Sequence, residues 1–428
     1  MSLLLIYFYY YLSFFFSPQH LKIEIEIGEG NFQKSPFIVY VSIQNLDTRP
    51  AQYDLKGGLV SLDKKNTQYF QNKVWLNAKE KKKIPLQFSL KYPNTYFLQL
   101  NFLHKQYKPQ KDQILLAYQL EKFNRQSNTP MDLLPFWKEI REKLNTRKPE
   151  FQVTPFPKYS NHLFMMYRVE MMAYDDLKLV GWYRVPKKAK KVPAILQLPP
   201  LGGKFNRVYT LAENELYGIP PEYAVLSLNI RNHGKSDTIY KTNNFNDLIA
   251  YNIEEKKNYF YAGAIADAWR GLDFLAQRNE VDKDKIITEG ASQGGGLALW
   301  LASLDDRVAI TCPDVMFLGD WEELYETTYW VKQSVQQWSR KKNVSIWQIR
   351  QNLRYFDLKN IAHFIKIPVL MSAGLQDWTC PPQAIRNVFN KIASQDKSFI
   401  LYPKGKHEGG GKAHRRYKFQ WLKEKLQN

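Results

Sequence analysis

From Leu21 to Ile27 apolar and charged residues alternate strictly: Leu21, Ile23, Ile25 and Ile27 are apolar, while Lys22, Glu24 and Glu26 are charged. Successive side chains of a strand project to opposite faces, so this period predicts a half-buried β-strand. The runs FIVYVSIQN, IPLQFSL, TYFLQLNFL and QILLAYQL follow, separated by Asn, Asp, Gly and Lys clusters. Short strands at this spacing predict a small β-sandwich over residues 19–125.

The period then changes. A polar stretch, KFNRQSNTP, leads into MDLLPFWKEIREKLN, where Leu134, Trp137 and Ile140 share a helical face that Leu144 continues. Residues 126–150 therefore read as linker and entry helix. From 151 to 428 strand-like and helical runs alternate: AILQLPP, EYAVLSLNIRN, the helix NYFYAGAIADAWRGLDFLAQR, KIITEGAS, the helix GGGLALWLASL, RVAITCPDV, IPVLMSAGL, the helix PQAIRNVFNKIA, SFILYPKG and the closing helix KFQWLKEKLQ. Such alternation predicts an α/β fold, a mostly parallel sheet covered by helices. A helical insertion at about 317–364 falls beside the C-terminal strand edge, where ligands bind in open α/β sheets, so both a cap and an ordinary packing helix pair fit it.

Composition narrows the picture. At 428 residues the chain is long enough for two or three domains, and 44% hydrophobic with 24% charged residues is ordinary for a globular protein. Its 61 Lys and Arg against 41 Asp and Glu give +20. The densest basic runs, KEKKK and PKKAKK, sit between strand-like segments and read as solvated turns, so no nucleic-acid partner is expected. Cys312 and Cys380 are too few for a disulfide framework and lack metal-ligand spacing; free thiols and a single bridge both remain open. At the N-terminus, Leu3 to Phe16 is apolar but for Ser13. That run falls short of the roughly 18 to 20 residues of a spanning helix. It resembles the core of a secretion signal, though it lacks basic residues before it and an A-x-A site after it. The expectation is a signal-like segment over 1–18, a secreted or periplasmic protein and no stable membrane span.

The candidate chemistry lies in ITEGASQGGGLALW. Gly290, Ser292 and Gly294 form G-x-S-x-G between a predicted strand and a predicted helix, where a sharp turn exposes a serine oxygen and leaves no room for flanking side chains. No Lys follows the glycines as a phosphate-binding loop requires, and no G-x-G-x-x-G precedes a ribose-binding acid. A serine hydroxyl needs a base, and the base an orienting acid, in the chain order Ser, acid, His. Downstream of Ser292 lie His363, His407 and His414. His363 precedes a predicted strand, at its wrong end. His414 opens a basic terminal helix and reads as solvated. His407, in the loop after the last predicted strand, is the candidate base. Asp377 directly follows a predicted strand and is the preferred acid, with Asp314 in reserve.

The oxyanion of an acyl-transfer intermediate needs two backbone donors. Gln293 supplies the N–H after the nucleophile. Leu201, in LPPLGG, is the second candidate, because Pro199 and Pro200 have no N–H. No metal or organic cofactor is required.

The segments EGASQGGGLALW, LRYFDLKNIAHFIKIPVLMSAGLQDWTCPP and GKHEGG resemble the acetyl xylan esterase and cephalosporin C deacetylase family, carbohydrate esterase family seven. The resemblance runs from about Met131 to the C-terminus. It implies an α/β-hydrolase that deacetylates short xylo-oligosaccharides and similar small esters, with Ser292, Asp377 and His407 as triad, Leu201 and Gln293 as oxyanion donors, and a homo-oligomer as a possible assembly. Two departures stand out. Arg231-Asn232-His233 replaces the family's Arg-Gly-Gln, which leaves Arg231 to fix its loop and makes His233 new, either a hydrogen-bonder near the site or an exposed loop residue, the latter preferred. Pro200-Leu201 replaces a His-Gly-Tyr-like turn, removing a ring that would help wall the acetyl pocket. Two rival readings remain: a serine peptidase of the prolyl oligopeptidase type, and a catalytically inactive hydrolase fold that binds carbohydrate.

Overall fold

The alternation that opens the chain becomes β1 (Leu21–Glu26) in a computed structural model that describes residues 20–188 and 190–427. The signal-like segment 1–18 lies outside the described residues. Two units divide between Leu120 and Glu121.

In the first unit β1 is followed by β2 (Asn31–Phe32), β3 (Phe37–Asn45), β4 (Ala51–Ser61), β5 (Thr67–Leu76), β6 (Lys81–Phe88), β7 (Asn94–Leu103) and β8 (Gln110–Tyr118). They form a three-stranded sheet, β1-β3-β6, and a five-stranded one, β2-β8-β7-β4-β5. Val39, Val41 and Leu86 from the first share one core with Leu55, Leu59, Leu98 and Leu100 from the second, which makes a sandwich. The sequence pattern missed β4 and β5. In β4 the buried series Ala51, Tyr53, Leu55 is interrupted by Gly57-Gly58, and β5 turns only Phe70, Val74 and Leu76 inward among polar neighbours.

The second unit begins with α1 (Leu133–Thr146), which buries Leu133, Phe136, Trp137, Ile140 and Leu144. Leu134, expected on that face, is exposed; the buried stripe starts one residue earlier. Then come β9 (Gln152–Pro155), β10 (Phe164–Met172), β11 (Lys178–Pro186), β12 (Val192–Leu198), β13 (Ala224–Asn229), α2 (Phe260–Ala276), β14 (Val281–Ala291), α3 (Gln293–Leu304) and β15 (Val308–Asp314). The insertion holds α4 (Trp321–Thr327), α5 (Tyr329–Lys342) and α6 (Ile346–Leu353); β16 (Val369–Gly374), α7 (Pro382–Lys391), β17 (Lys397–Tyr402) and α8 (Gly411–Gln427) complete the chain.

The nine strands run in the order β17-β16-β15-β14-β12-β13-β11-β10-β9. Strands β13, β12 and β14 to β17 are parallel, and β11, β10 and β9 extend them antiparallel. Alternate residues of β12 sort to opposite faces: Ala194, Leu196 and Leu198 pack with Trp137, Trp269 and Trp300, while Ile195 joins Val225, Ile287 and Leu370 under Phe419 and Leu422 of α8. Burying each such aliphatic side chain contributes about 1.5–3 kcal/mol. In the insertion Val331, Val335 and Trp338 of α5 enter the main core, and the Trp338 ring meets Tyr240 and Tyr251. Among the described residues no helix is long and apolar enough to cross a membrane.

Candidate active site

Because six strands are parallel, Leu198, Asn229, Ala291, Asp314, Gly374 and Tyr402 end them at one edge of the sheet. Ligands bind at that edge in open α/β folds. Ser292, Gln293, Leu201, Arg231, His233, Asp377 and His407 lie on segments that leave it.

Ser292 joins β14 to α3 with φ 57° and ψ −122°, a region that strains a side-chain-bearing residue by about 1–3 kcal/mol. The turn is pinned on both sides. Ser292 N–H donates to the Asp314 carbonyl at 2.9 Å, and the Ser292 carbonyl accepts from Gly296 at 3.1 Å and Phe317 at 2.9 Å. A Cβ on Gly290 would lie 2.5 Å from the Gly294 backbone, and one on Gly294 would lie 2.2 Å from the Leu198 carbonyl oxygen. The two glycines that bracket the serine are therefore demanded by close backbone approach.

Asp377, fully buried, leaves the end of β16. Its Oδ1 accepts from the N–H groups of Thr379 (2.8 Å) and Cys380 (3.0 Å), and its Oδ2 lies 2.8 Å from Nδ1 of His407. A carboxylate accepts, so Nδ1 carries the proton and Nε2 is left as a base. The His407 side chain, on the loop after β17, is 39% exposed. Ser292 Oγ has the Cys380 thiol 4.0 Å away. Among the described residues no hydrogen bond joins Oγ to His407, and such contacts tighten when substrate binds.

The reserve pair is built differently. Asp314 Oδ1 accepts from Ser372 Oγ and lies 2.8 Å from Nε2 of His414, while Lys418 bonds Oδ2. Burial raises the carboxyl pKa, but Lys418 and then His414 outweigh it and hold Asp314 well below the usual carboxylate range. His414 is buried, with Nδ1 3.0 Å from the Tyr402 hydroxyl, and not solvated as expected. The same helix sends Arg415 to Glu289, three residues before Ser292, in a two-bond pair of 2.6 and 2.9 Å. His363 is exposed in a short helical turn.

Arg231 follows β13, fully enclosed. It donates to both oxygens of Asp267 on α2 (2.8 Å each) and to Asp175 in the β10–β11 turn (2.8 and 3.1 Å), which ties three segments together. His233 is 1% exposed, which overturns the reading of it as an exposed loop residue. Its Nδ1 lies 2.8 Å from the Arg231 carbonyl and its Nε2 3.2 Å from the Gly202 N–H. Burial lowers its pKa to about 4. Gln293 opens α3, so its own N–H has no carbonyl one turn earlier in that helix. Leu201 is half-buried beside Gly202, against which the Phe245 ring packs. No sequence pattern marks Phe245 here, and Cys380 shows there only as a thiol; the folded chain brings both to this edge.

Asp377, Cys380 and His407 also place possible metal-ligand atoms within 4.8 Å of one another. Both Asp377 oxygens are already engaged, and burial keeps the Cys380 thiol protonated by pushing its pKa well up. The cluster fits an acid–base pair better than a cation cage. Cys312 and Cys380 are both free and buried.

The chain resembles known proteins in both sequence and fold. The family model described as acetyl xylan esterase (AXE1) matches residues 114–425. An acetyl xylan esterase structure from Paenibacillus sp. R4 superposes with a TM-score of 0.63 at 26% identity, covering 71% of this chain and 98% of that one. Acetyl Xylan Esterase 1 from Thermoanaerobacterium sp. JW/SL YS485 gives 0.62 at 22% identity, covering 71% and 96%. The acetyl esterase Axe7A of Xylanibacter ruminicola is 24% identical over 290 residues, 64% of this chain; the match spans 63% of that relative's length.

Proposed function

The chain belongs to the acetyl xylan esterase family, an α/β-hydrolase preceded by a β-rich unit, and from that premise we propose that it is a serine carboxylic-ester hydrolase that removes acetyl groups from xylo-oligosaccharides or similar small esters. The observation that carries the reading is the Asp377–His407 pair, 2.8 Å across, at the same sheet edge as a serine held with positive φ. Ser292 Oγ attacks the acetyl carbonyl carbon as His407 Nε2 takes its proton. Asp377 holds the Nδ1–H tautomer and stabilises the imidazolium. The N–H groups of Gln293 and Leu201 receive the oxyanion, a contribution of about 2.7–4 kcal/mol per donor. His407 then protonates the departing sugar oxygen, and water, activated by the same Nε2, releases acetate. The family match favours this reading over a peptidase.

Export from the cytoplasm remains part of the proposal, supported by the apolar run Leu3 to Phe16. Assembly into an oligomer rests on the family resemblance. The deciding experiment measures acetate released from acetylated xylo-oligosaccharides, intact xylan and p-nitrophenyl esters of increasing acyl length, with Ser292→Ala as control. Acetyl esters turned over fastest, and no turnover in the variant, are expected. Preference for longer acyl chains would end the deacetylase assignment, and undiminished turnover in the variant would end the serine mechanism.

A further inference from the structure

The oxyanion donors lie just beyond the ends of two paired strands: Leu198 of β12 stands opposite Gly290 of β14, and three residues further along each segment come Leu201 and Gln293. Gln293 sits on α3; Leu201 sits in the loop after β12, which begins Pro199-Pro200. Two prolines supply no N–H, so the start of this loop has little backbone with which to anchor itself. One internal bond, Gly203 N–H to the Pro200 carbonyl at 2.9 Å, closes the turn without fixing it to its surroundings. The anchors are side chains. Gln293 Nε2 lies 3.3 Å from the Pro199 carbonyl, and His233 Nε2 lies 3.2 Å from the Gly202 N–H and 3.1 Å from Gln293 Nε2.

The chemistry of those contacts fixes the state of the ring. The Arg231 carbonyl can only accept, so His233 Nδ1, 2.8 Å away, is the protonated nitrogen. Nε2 therefore offers its lone pair to a backbone N–H and a side-chain NH2, which both donate, with the Pro200 carbonyl also close to the ring. A neutral imidazole of this tautomer meets both donors, and burial, which lowers the His233 pKa to about 4, favours that neutral ring. Arg231 itself is held by Asp267 and Asp175, so the ring hangs from an immobile carbonyl. Gln293 is steadied from the other side by the Tyr261 hydroxyl, which donates to its Oε1 at 3.1 Å.

We propose that His233 is a positioning residue for the esterase reaction: its Nε2 clamps the Leu201–Gly202 loop to Gln293, so that two N–H donors on separate segments converge on one oxyanion. The inference rests on the reading of Ser292 as nucleophile. It gives His233 a role through geometry alone, with no contact to substrate. Where the resembling family has Gln, a neutral side chain with one donor and one acceptor, His233 presents the same pair in a ring: Nδ1–H for the Arg231 carbonyl and Nε2 for Gly202. A displacement of one ångström at a reacting centre is enough to cost about a hundredfold in rate, so a loosened clamp acts on turnover before it acts on binding.

The test uses the full chain with p-nitrophenyl acetate as substrate and a phenylboronic acid as the tetrahedral mimic. In His233→Phe the ring stays and the acceptor goes: kcat is expected to fall about 30- to 100-fold with KM within threefold, and boronate affinity to fall with kcat. In His233→Gln most of the turnover and of the boronate affinity returns. Gln293→Leu keeps its backbone N–H and removes the opposite half of the clamp; it should match His233→Phe, and it serves if the Phe variant does not fold. Turnover and boronate affinity within twofold of wild type in a folded Phe or Leu variant overturn the proposal, as does a Gln variant no better than Phe. A wild-type protein that hydrolyses no ester would instead strike at the esterase reading itself.

Discussion

Two aspartate–histidine pairs lie at the same edge of one sheet, each with a carboxylate and an imidazole nitrogen 2.8 Å apart, and only one of them presents its ring to solvent. Asp377 spends one oxygen on two backbone N–H groups and the other on His407, whose ring reaches solvent. Asp314 is surrounded by Lys418, Ser372 and a buried His414 that also meets Tyr402. A base needs a free nitrogen with access to substrate; a strut needs buried groups held against their partners. Proximity of the right residue types is therefore insufficient. What surrounds the pair decides between proton transfer and support.

The largest test of that contrast exchanges the histidines. His407→Ala is expected to lower kcat on an acetyl ester by about a millionfold, because losing the base costs nearly as much as losing the nucleophile. His414→Gln should leave kcat within about fivefold of wild type and lower the melting temperature instead, since the lost group is structural. If steady-state rates show the reverse order in folded variants, the pairs have been assigned the wrong way round.

Exchanging the acids is the next step down. Asp377→Asn leaves the geometry but favours the wrong imidazole tautomer, for an expected loss of about ten-thousandfold in kcat with little change in melting. Asp314→Asn removes the nearer of the two carboxylates that face the buried Lys418 and leaves it Glu289 at 3.4 Å; breaking one partner of a buried ion pair costs up to about 3–5 kcal/mol, so denaturant midpoints should drop while the rate per folded molecule holds. A catalytic collapse in folded Asp314→Asn would move the acid back to the reserve candidate.

Much of this was legible in the chain before it folded. The nucleophile turn could be read because close packing demands small residues on both sides of Ser292, and glycines mark that need in one dimension. Asp377 and His407 could be read because strand ends announce themselves through apolar runs followed by polar loops. His414 and His233 could not. Nothing local says that a histidine in KAHRRYKF turns inward, because its partners, Asp314 and Tyr402, arrive from other strands. His233 is two residues from Arg231, but Gly202 and Gln293 reach it from distant segments. Alternation likewise found β1 and β3 and lost β5, whose inward residues sit among Gln, Asn and Lys. Burial of polar residues is a long-range property; burial of an apolar stripe shows in its period.

The smallest effect sharpens the contrast by pH, because the buried groups on the two sides of the edge titrate in different windows. Burial lowers the pKa of His233 from an ordinary 6.5 to about 4. Between those values the unfolded chain takes up a proton that the folded chain refuses, so the stability this neutral ring supports is complete above about pH 6.5 and is lost as pH falls to about 4. A shift of that size corresponds to about 3 kcal/mol. Asp314 acts lower: its carboxyl, held below the ordinary 3.8 by Lys418 and His414, keeps its contribution above that value and loses it as pH falls further. Urea midpoints at pH 7.5, 5.5, 4 and 3 should thus separate the variants. The stability gap between wild type and His233→Gln changes between pH 7.5 and 4, mostly from 5.5 to 4, and levels near pH 4; the gap for Asp314→Asn stays constant over that range and narrows only below it. If both gaps change together, the two regions titrate as one network, and the separation between a working pair and a supporting pair fails on its electrostatics.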